Sequence, residues 1–327
     1  KAYTSTPRHS HSATLIGNKL YILGGSSTTI ANPNYDIFTP TNDLFYLDVS
    51  AAFNKTNIPW TDLFNVVDTP KQDAASVSTG GPNKDNIFLC GGAFENNSSG
   101  VPLVYTLDSI KNVWNTPTIQ EIQPPRRRHS SPIIDVTGKM YIFGGSYNIS
   151  TGNSSLTYDN RMDILDTINL IWSKGSQLQA PTPRDRFSAT LLPSDIIVYI
   201  GGFDVTGTTT LREIYLYDAK NDAWETMITV RSIPDTLAMH TSVLGLNNDR
   251  LIIYGGLHSW QSPQVDHDLS VLDIRNKPYK WFIPNISGII PPTPCDRKIY
   301  DRLNLQEKSM NPNVSILDIG NDFEYKW

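Results

Sequence analysis

The sequence predicts an all-β fold of six repeated four-stranded antiparallel sheets, and three observations carry that expectation. The first is an apolar run closed by a glycine pair, written five times: Leu20-Tyr21-Ile22-Leu23-Gly24-Gly25, Ile87-Phe88-Leu89-Cys90-Gly91-Gly92, Met140-Tyr141-Ile142-Phe143-Gly144-Gly145, Val198-Tyr199-Ile200-Gly201-Gly202 and Leu251-Ile252-Ile253-Tyr254-Gly255-Gly256. Short runs rich in β-branched and aromatic residues read as strands buried on both faces, and the glycines mark a sharp turn or a close backbone approach. The second is a row of closing tryptophans, Trp60, Trp114, Trp172, Trp224, Trp281 and Trp327, spaced 54, 58, 52, 57 and 46 residues apart. The third is that no segment sustains a helical period. A repeat near 50 residues with four strands per unit means a radial propeller, in which each small sheet buries its faces against its neighbours.

Each unit has four parts. The first unit opens with the turn and small-residue strand Pro7-Arg8-His9-Ser10-His11-Ser12-Ala13-Thr14-Leu15-Ile16 and continues into its glycine-pair strand. After a loop comes Asp43-Leu44-Phe45-Tyr46-Leu47-Asp48, a third strand of alternating faces, and Trp60 marks the fourth. The same order runs from Pro70-Lys71 to Trp114, from Pro125-Arg126 to Trp172 and from Pro183-Arg184 to Trp224. The fifth unit opens at Pro234-Asp235, without the basic residue, and closes at Trp281. Blade boundaries fall at about 7–62, 63–116, 117–174, 175–226, 227–283 and 284–327, within one domain. The sixth unit keeps Val314-Ser315-Ile316-Leu317-Asp318 and Tyr325-Lys326-Trp327 as third and fourth strands but has no glycine-pair strand, so it is degenerate or incomplete.

Composition bounds the function. The chain is 39% hydrophobic and 18% charged, with a net charge of −5, which argues against a nucleic-acid partner unless the cations share one face. No apolar run approaches the roughly 20 residues of a membrane-spanning helix. Lys1 is not an initiator methionine, which leaves room for a removed upstream segment. Cys90, inside a glycine-pair strand, reads as a small buried hydrophobe; the alternative is a bridge to Cys295 in a distant polar stretch. Asn-X-Ser/Thr sites at Asn54, Asn96, Asn97, Asn148, Asn153, Asn285 and Asn313 fall mostly in predicted surface loops. They favour a secreted or cell-surface glycoprotein.

The glycine pair, the aromatic-rich third strand ending in Asp and the closing Trp resemble the kelch-repeat β-propeller family. The resemblance covers residues 7–281 in full and 282–327 in part. It implies that the opening turns lie at the mouth of a central channel, so Arg8, Lys71, Arg126 and Arg184 would converge there, with Arg127, Arg128 and Arg186 beside them. A guanidinium ring suits carboxylate, phosphate or sulfate groups, since each fork donates two parallel hydrogen bonds. The alternative is that these side chains hydrogen-bond backbone carbonyls of a neighbouring blade. Phe94, Tyr147, Phe203, His258 and Trp260, just beyond the glycine pairs, would rim the same mouth, or else fold down onto their own blades.

His11, His129 and His240 read as one repeat position with a structural role. His258 with Asp266, His267 and Asp268 resembles a metal cluster, but Asp268-Leu269 is the third-strand signature already seen at Asp43-Leu44. No metal, cofactor or catalytic residue is therefore assigned. The reading is a non-catalytic, monomeric, extracellular recognition module for a protein or glycan, including anionic ligands. The alternatives are a galactose-oxidase-like or metal-dependent enzyme with its site at the channel mouth, and an intracellular adaptor.

Overall fold

The five glycine-pair runs become the second strands of five sheets. The computed structural model describes residues 8–27, 39–53, 58–64, 67–93, 100–258, 269–288 and 324–326. The chain divides into two compact units at Gly175 and Ser176, the junction of the third and fourth predicted blades. In the first unit, sheet 1 runs in the order Ser12–Ile16, Lys19–Leu23, Leu44–Asp48, Thr61–Asp62. Sheet 2 is Ser76–Gly80, Asn86–Cys90, Val104–Asp108, Val113–Asn115, and sheet 3 is Ile133–Ile134, Lys139–Phe143, Met162–Asp166, Ile171–Lys174. In the second unit, sheet 4 is Ser188–Leu191, Ile196–Ile200, Glu213–Asp218, Ala223–Ile228. Sheet 5 is Thr241–Leu244, Arg250–Tyr254, Leu269–Asp273, Lys280–Phe282, with Val230–Arg231 added in parallel on its outer edge.

The second strands are buried on both faces, as expected of inner strands: Ile87, Phe88, Leu89 and Cys90 are all inside. The Asp that ends each third strand has a local task. Asp108 Oδ1 accepts from the amides of Ile110 and Lys111, Asp166 Oδ1 from Ile168 and Asn169, and Asp218 Oδ1 from Lys220 and Asn221. These side chains close the turn to the fourth strand by imitating backbone acceptors. Hydrogen bonds from the Asn221 side chain and amide hold Asp218 below the usual carboxylate range.

Three closing tryptophans, Trp114, Trp172 and Trp281, pack against the sheet before their own, whereas Trp224 stacks on Tyr199 and Tyr217 of its own sheet. Trp114 lies against the core shared by sheets 1 and 2, Trp172 joins Phe88, Cys90 and Leu103 of blade 2, and Trp281 joins Val198, Leu211 and Met227 of blade 4. Wedges of this size supply the apolar area that bonds sheet to sheet.

The sixth blade requires a correction. The described residues build five blade sheets, not six, and after the fifth they contribute a two-stranded parallel pair, Asn285–Ser287 with Glu324–Lys326. Its geometry still follows the repeat. The segment leaving one unit pairs in parallel with the last strand of the next at Gln120 with Ile171 and at Val230 with Lys280, and Asn285 with Glu324 repeats that pairing. Tyr325 is therefore in the place of a fourth strand, fully buried against Ile252, Leu269 and Val271. Val314–Asp318 and Trp327 lie outside the described residues.

Candidate functional site

The ends of the second strands, where the glycine pairs meet the opening turns, are the part of each unit that the sequence marks for function. One residue of every opening turn is in the left-handed region: Ser10 (φ 52°), Ala74 (54°), His129 (58°), Arg186 (54°) and Met239 (59°). These five are equivalent positions, and their backbones are linked from blade to blade. Ala74 N donates to Ser10 O at 2.9 Å, His129 N to Ala74 O at 3.0 Å, and Met239 N to Arg186 O at 2.8 Å.

The glycine pair fits around this turn from two sides. A Cβ on the first glycine, at Gly24, Gly91 or Gly201, would collide with the carbonyl oxygen of Gln72, Arg127 or Leu237 in the following blade. A Cβ on the second would strike its own opening turn, 2.6 Å from Asp185 O at Gly202 and 2.6 Å from Ala238 O at Gly256. Both demands also come with positive φ, which only glycine meets without strain. The amides of Gly25, Gly92 and Gly202 donate to those same carbonyls of Gln72, Arg127 and Leu237 at 2.9, 2.8 and 2.9 Å.

Counting back from the left-handed residue, the position of Arg8 is occupied by Gln72, Arg127, Arg184 and Leu237. Lys71 and Arg126 are therefore one residue out of register with Arg8. Lys71 is exposed. Arg8 and Arg184 make equivalent contacts, donating Nη1 to the first glycine carbonyl of their own blade (Gly24 O at 3.2 Å, Gly201 O at 3.3 Å). Each lies over the first aromatic of the third strand, Phe45 at 4.9 Å and Tyr215 at 4.7 Å. Arg8 also pairs with Asp43 at 2.7 Å, and Arg184 Nη2 reaches Thr182 Oγ1 at 2.7 Å. Arg126 crosses to blade 2, giving Nη1 to Gly91 O at 2.8 Å and Nη2 to Val101 O and Pro102 O at 3.0 and 2.7 Å. Burial pulls the pKa of both Arg126 and Arg184 below the ordinary arginine value.

The expected anion-binding ring is thus corrected. Arg126 and Arg184 are buried, and their forks are occupied by carbonyl and hydroxyl oxygens rather than open to a ligand. Arg127, which the sequence placed beside the ring, holds the repeat position in blade 3 and meets Asp163 where the other blades have Phe45 and Tyr215. Its Nη1 donates to Asp159 Oδ2 at 2.9 Å and its Nη2 to Asp163 Oδ2 at 2.5 Å. Arg161 adds Nε to Asp159 Oδ2 at 3.0 Å.

The expected aromatic rim divides three ways. Tyr147 is half-buried and bound into the Arg127 network: its hydroxyl donates to Asp159 and accepts from Arg161 Nη2. Burial and then the Asp159 hydrogen bond push its pKa upwards. Burial alone would raise Asp159, but Arg127, Tyr147 and Arg161 together hold it below the usual carboxylate range. Phe203 is corrected from rim to core: it is buried, and its backbone pairs with Asp185. His258 is partly open, with Nδ1 3.1 Å from Thr236 O and Nε2 3.2 Å from Asp235 Oδ2. Phe94 and Trp260 lie outside the described residues.

The histidines are corrected by one position. His11 and His240 are equivalent, whereas His129 sits one residue earlier, in the left-handed turn. His240 is buried with Nε2 2.8 Å from Ser188 Oγ, and burial lowers its pKa to about 3. Among the described residues, no three His, Cys, Asp or Glu side chains gather where a metal ion would sit. Asp266, His267 and Asp268 lie outside the described residues. Cys90 is a buried free thiol, pushed up to about 12 by burial; Cys295 is outside the described residues, as are Asn54, Asn96, Asn97 and Asn313. No helix among the described residues is long and apolar enough to cross a membrane.

A repeated four-stranded sheet, a glycine pair locked to the next opening turn and a tryptophan wedge define a β-propeller of the kelch type. Comparison with known proteins gives the same class: residues 76–299 match the family described as KLHDC2/KLHL20/DRC7 Kelch-repeats domain. The chain belongs to the kelch-repeat family. It is 28% identical to Kelch domain-containing protein 3 of Bos taurus over 309 residues, covering 89% of this chain and 73% of that protein. It is 34% identical to Host cell factor 1 of Homo sapiens over 145 residues, covering 42% of this chain and 7% of that protein.

Proposed function

We propose that this chain is a non-catalytic protein-binding module that works through the loops following its glycine pairs. The observation that carries the reading is the contrast between an invariant base and variable loops. The residue after each pair, among them Ala93, Ser146, Phe203 and Leu257, bridges back to its own opening turn. From these fixed points the loops diverge: blade 3 folds Ser146–Tyr147 against Thr157–Tyr158, while blade 4 makes the tighter Phe203–Asp204 with Gly207–Thr208 hairpin. Variable loops on a rigid scaffold are where recognition is normally carried.

The test is affinity capture with mass spectrometry, using the parent chain and variants whose 148–156 or 204–207 loop tips are replaced by Gly-Ser. A partner recovered by the parent and lost by a loop variant is expected; the same set recovered by all of them would overturn the reading. An extracellular setting, with a glycan among the possible partners, belongs to the same proposal. It is supported by the Asn-X-Ser/Thr sites, of which Asn285 is exposed and Asn148 and Asn153 are half-buried. A mass loss on enzymatic N-deglycosylation of the native protein is expected, and unmodified Asn285 and Asn148 would favour the intracellular adaptor.

A further inference from the structure

At the end of sheet 5 remote from its glycine pair, the surface opens into a groove of about 430 Å³. Its walls come from three turns and strands that the repeat brings together: Asp249-Arg250 at the start of the second strand, Asp273 and Arg275 at the end of the third, and Lys280 to Ile283 along and just past the fourth. Arg231, on the added outer strand, completes it. Four cations thus face two carboxylates.

The groove already displays the chemistry it would use on a ligand. Arg250 holds Asp249 through Nε and Nη2 at 2.7 and 2.8 Å, and Arg275 holds Asp273 through Nε and Nη2 at 3.1 and 2.6 Å. Two guanidinium forks are filled by carboxylates, and two cations are left over. Arg231 and Lys280 form no ion pair among the described residues, and they sit on adjacent, hydrogen-bonded strands. Arg231 is exposed, and its left-handed backbone at φ 72° forms a turn in which Ile233 N donates to Arg231 O at 2.7 Å. Half-buried Phe282 and exposed Ile283 add an apolar wall beside the charges.

We propose that this groove binds a carboxylate-rich segment of a partner protein, with Arg231 and Lys280 taking acidic side chains and Phe282 and Ile283 an intervening apolar one. Charge complementarity selects the occupant. Two cations outside the ion pairs, Arg231 and the cross-strand neighbour of Asp273, Lys280, attract negative charge, while Asp249 and Asp273 repel a compact multiply charged group centred on Arg250 or Arg275. Single carboxylates spread along a strand avoid that repulsion. The site lies at the opposite end of the sheet from the glycine-pair loops, so it stands or falls independently of the function proposed for them.

The experiment is fluorescence anisotropy with a labelled peptide of alternating glutamate and leucine. Binding is expected to weaken as sodium chloride rises from about 0.02 to about 0.3 M. R231A/K280A is expected to weaken it by about tenfold or more, and the conservative K280R to retain it. A glutamine-leucine peptide is expected not to bind. Unchanged affinity in R231A/K280A, or equal binding of the glutamine peptide, would overturn the proposal. Displacement of the peptide by inorganic phosphate, but not by free glutamate at the same concentration, would also overturn it, by assigning the groove to phosphoryl groups. Circular dichroism of each variant confirms that the comparison is made on folded protein.

Discussion

The joint between sheets 2 and 3 and the joint between sheets 4 and 5 solve the same packing problem with different polar chemistry. Both have a glycine pair, a left-handed turn and a tryptophan wedge. At the first, the buried cation Arg126 reaches across to three carbonyls of blade 2, and the Trp172 indole N–H finds no partner among the described residues. At the second, neutral groups meet: Ser188 with His240, Thr190 Oγ1 with Ser242 Oγ at 2.6 Å, and the Trp281 indole N–H with Thr229 Oγ1 at 3.0 Å. Shape is what the repeat conserves, and each joint is free to choose its hydrogen bonds. The two joints should therefore respond alike to lost volume and differently to pH and to lost polarity.

Lost volume gives the largest effect. Trp172→Ala and Trp281→Ala should each cost about 3–5 kcal/mol in equilibrium denaturation, Trp281 towards the upper end because its N–H bonds go too. A repeat array can unfold in stages, so midpoints should be followed with more than one probe. A loss below about 1 kcal/mol at Trp172 would remove it as the wedge.

Acid should separate the joints. His240 resists protonation down to about pH 3, while in the unfolded chain it titrates near the ordinary histidine value of 6.5. Below that upper value the unfolded state takes a proton that the native state refuses. Stability is therefore intact above about pH 6.5 and falls, by at most about 1.4 kcal/mol per pH unit, as the pH drops towards 3. Denaturation midpoints at neutral and mildly acid pH should show this slope, and His240→Gln should flatten it. An equally steep slope in the variant would place the acid sensitivity elsewhere.

Removing the buried cation is a smaller perturbation. Arg126→Leu should cost about 1–3 kcal/mol, because Gly91, Val101 and Pro102 lose a donor. Exposed Lys71→Ala should stay within about 0.5 kcal/mol. Equal effects in a thermal melt would mean that the two residues are equivalent after all. The finest distinction is the indole nitrogen: Trp281→Phe should cost about 1 kcal/mol more than Trp172→Phe, since only the former breaks hydrogen bonds. Equal costs would show that the Trp281 N–H contributes nothing net.

The sheets were legible in the sequence because burial on both faces writes itself as a continuous apolar run, and a glycine pair admits few other readings. The Asp ending each third strand was legible as a marker but not as a turn-closing acceptor, which needs coordinates for the amides it meets. The opening turns were harder. Pro124-Pro125-Arg126-Arg127-Arg128 offers three registers for one basic position, and the first was the wrong one. A usable signal was present: a hydroxyl residue, Ser12, Ser76, Ser131, Ser188 or Thr241, stands two places after the left-handed residue of every opening turn. Counting back four from it reaches Arg8, Gln72, Arg127, Arg184 and Leu237. Whether an arginine faces a ligand or a carbonyl could not be read at all, since that depends on which strand ends lie within a few ångströms. The groove on sheet 5 was invisible for the same reason, its charges being scattered from Arg231 to Lys280.

The joints made by Gly24-Gly25, Gly91-Gly92 and Gly201-Gly202, each within one unit, also have a direction along the chain. The glycine pair of one blade is a socket, with room against its first residue and an amide on its second, and the turn that fills it belongs to the blade that follows. A nascent chain leaving the ribosome completes each of these three sockets before its plug exists. Chains stalled between blades within either unit would share one signature, a bare glycine pair with the amide of Gly25, Gly92 or Gly202 still waiting for its carbonyl.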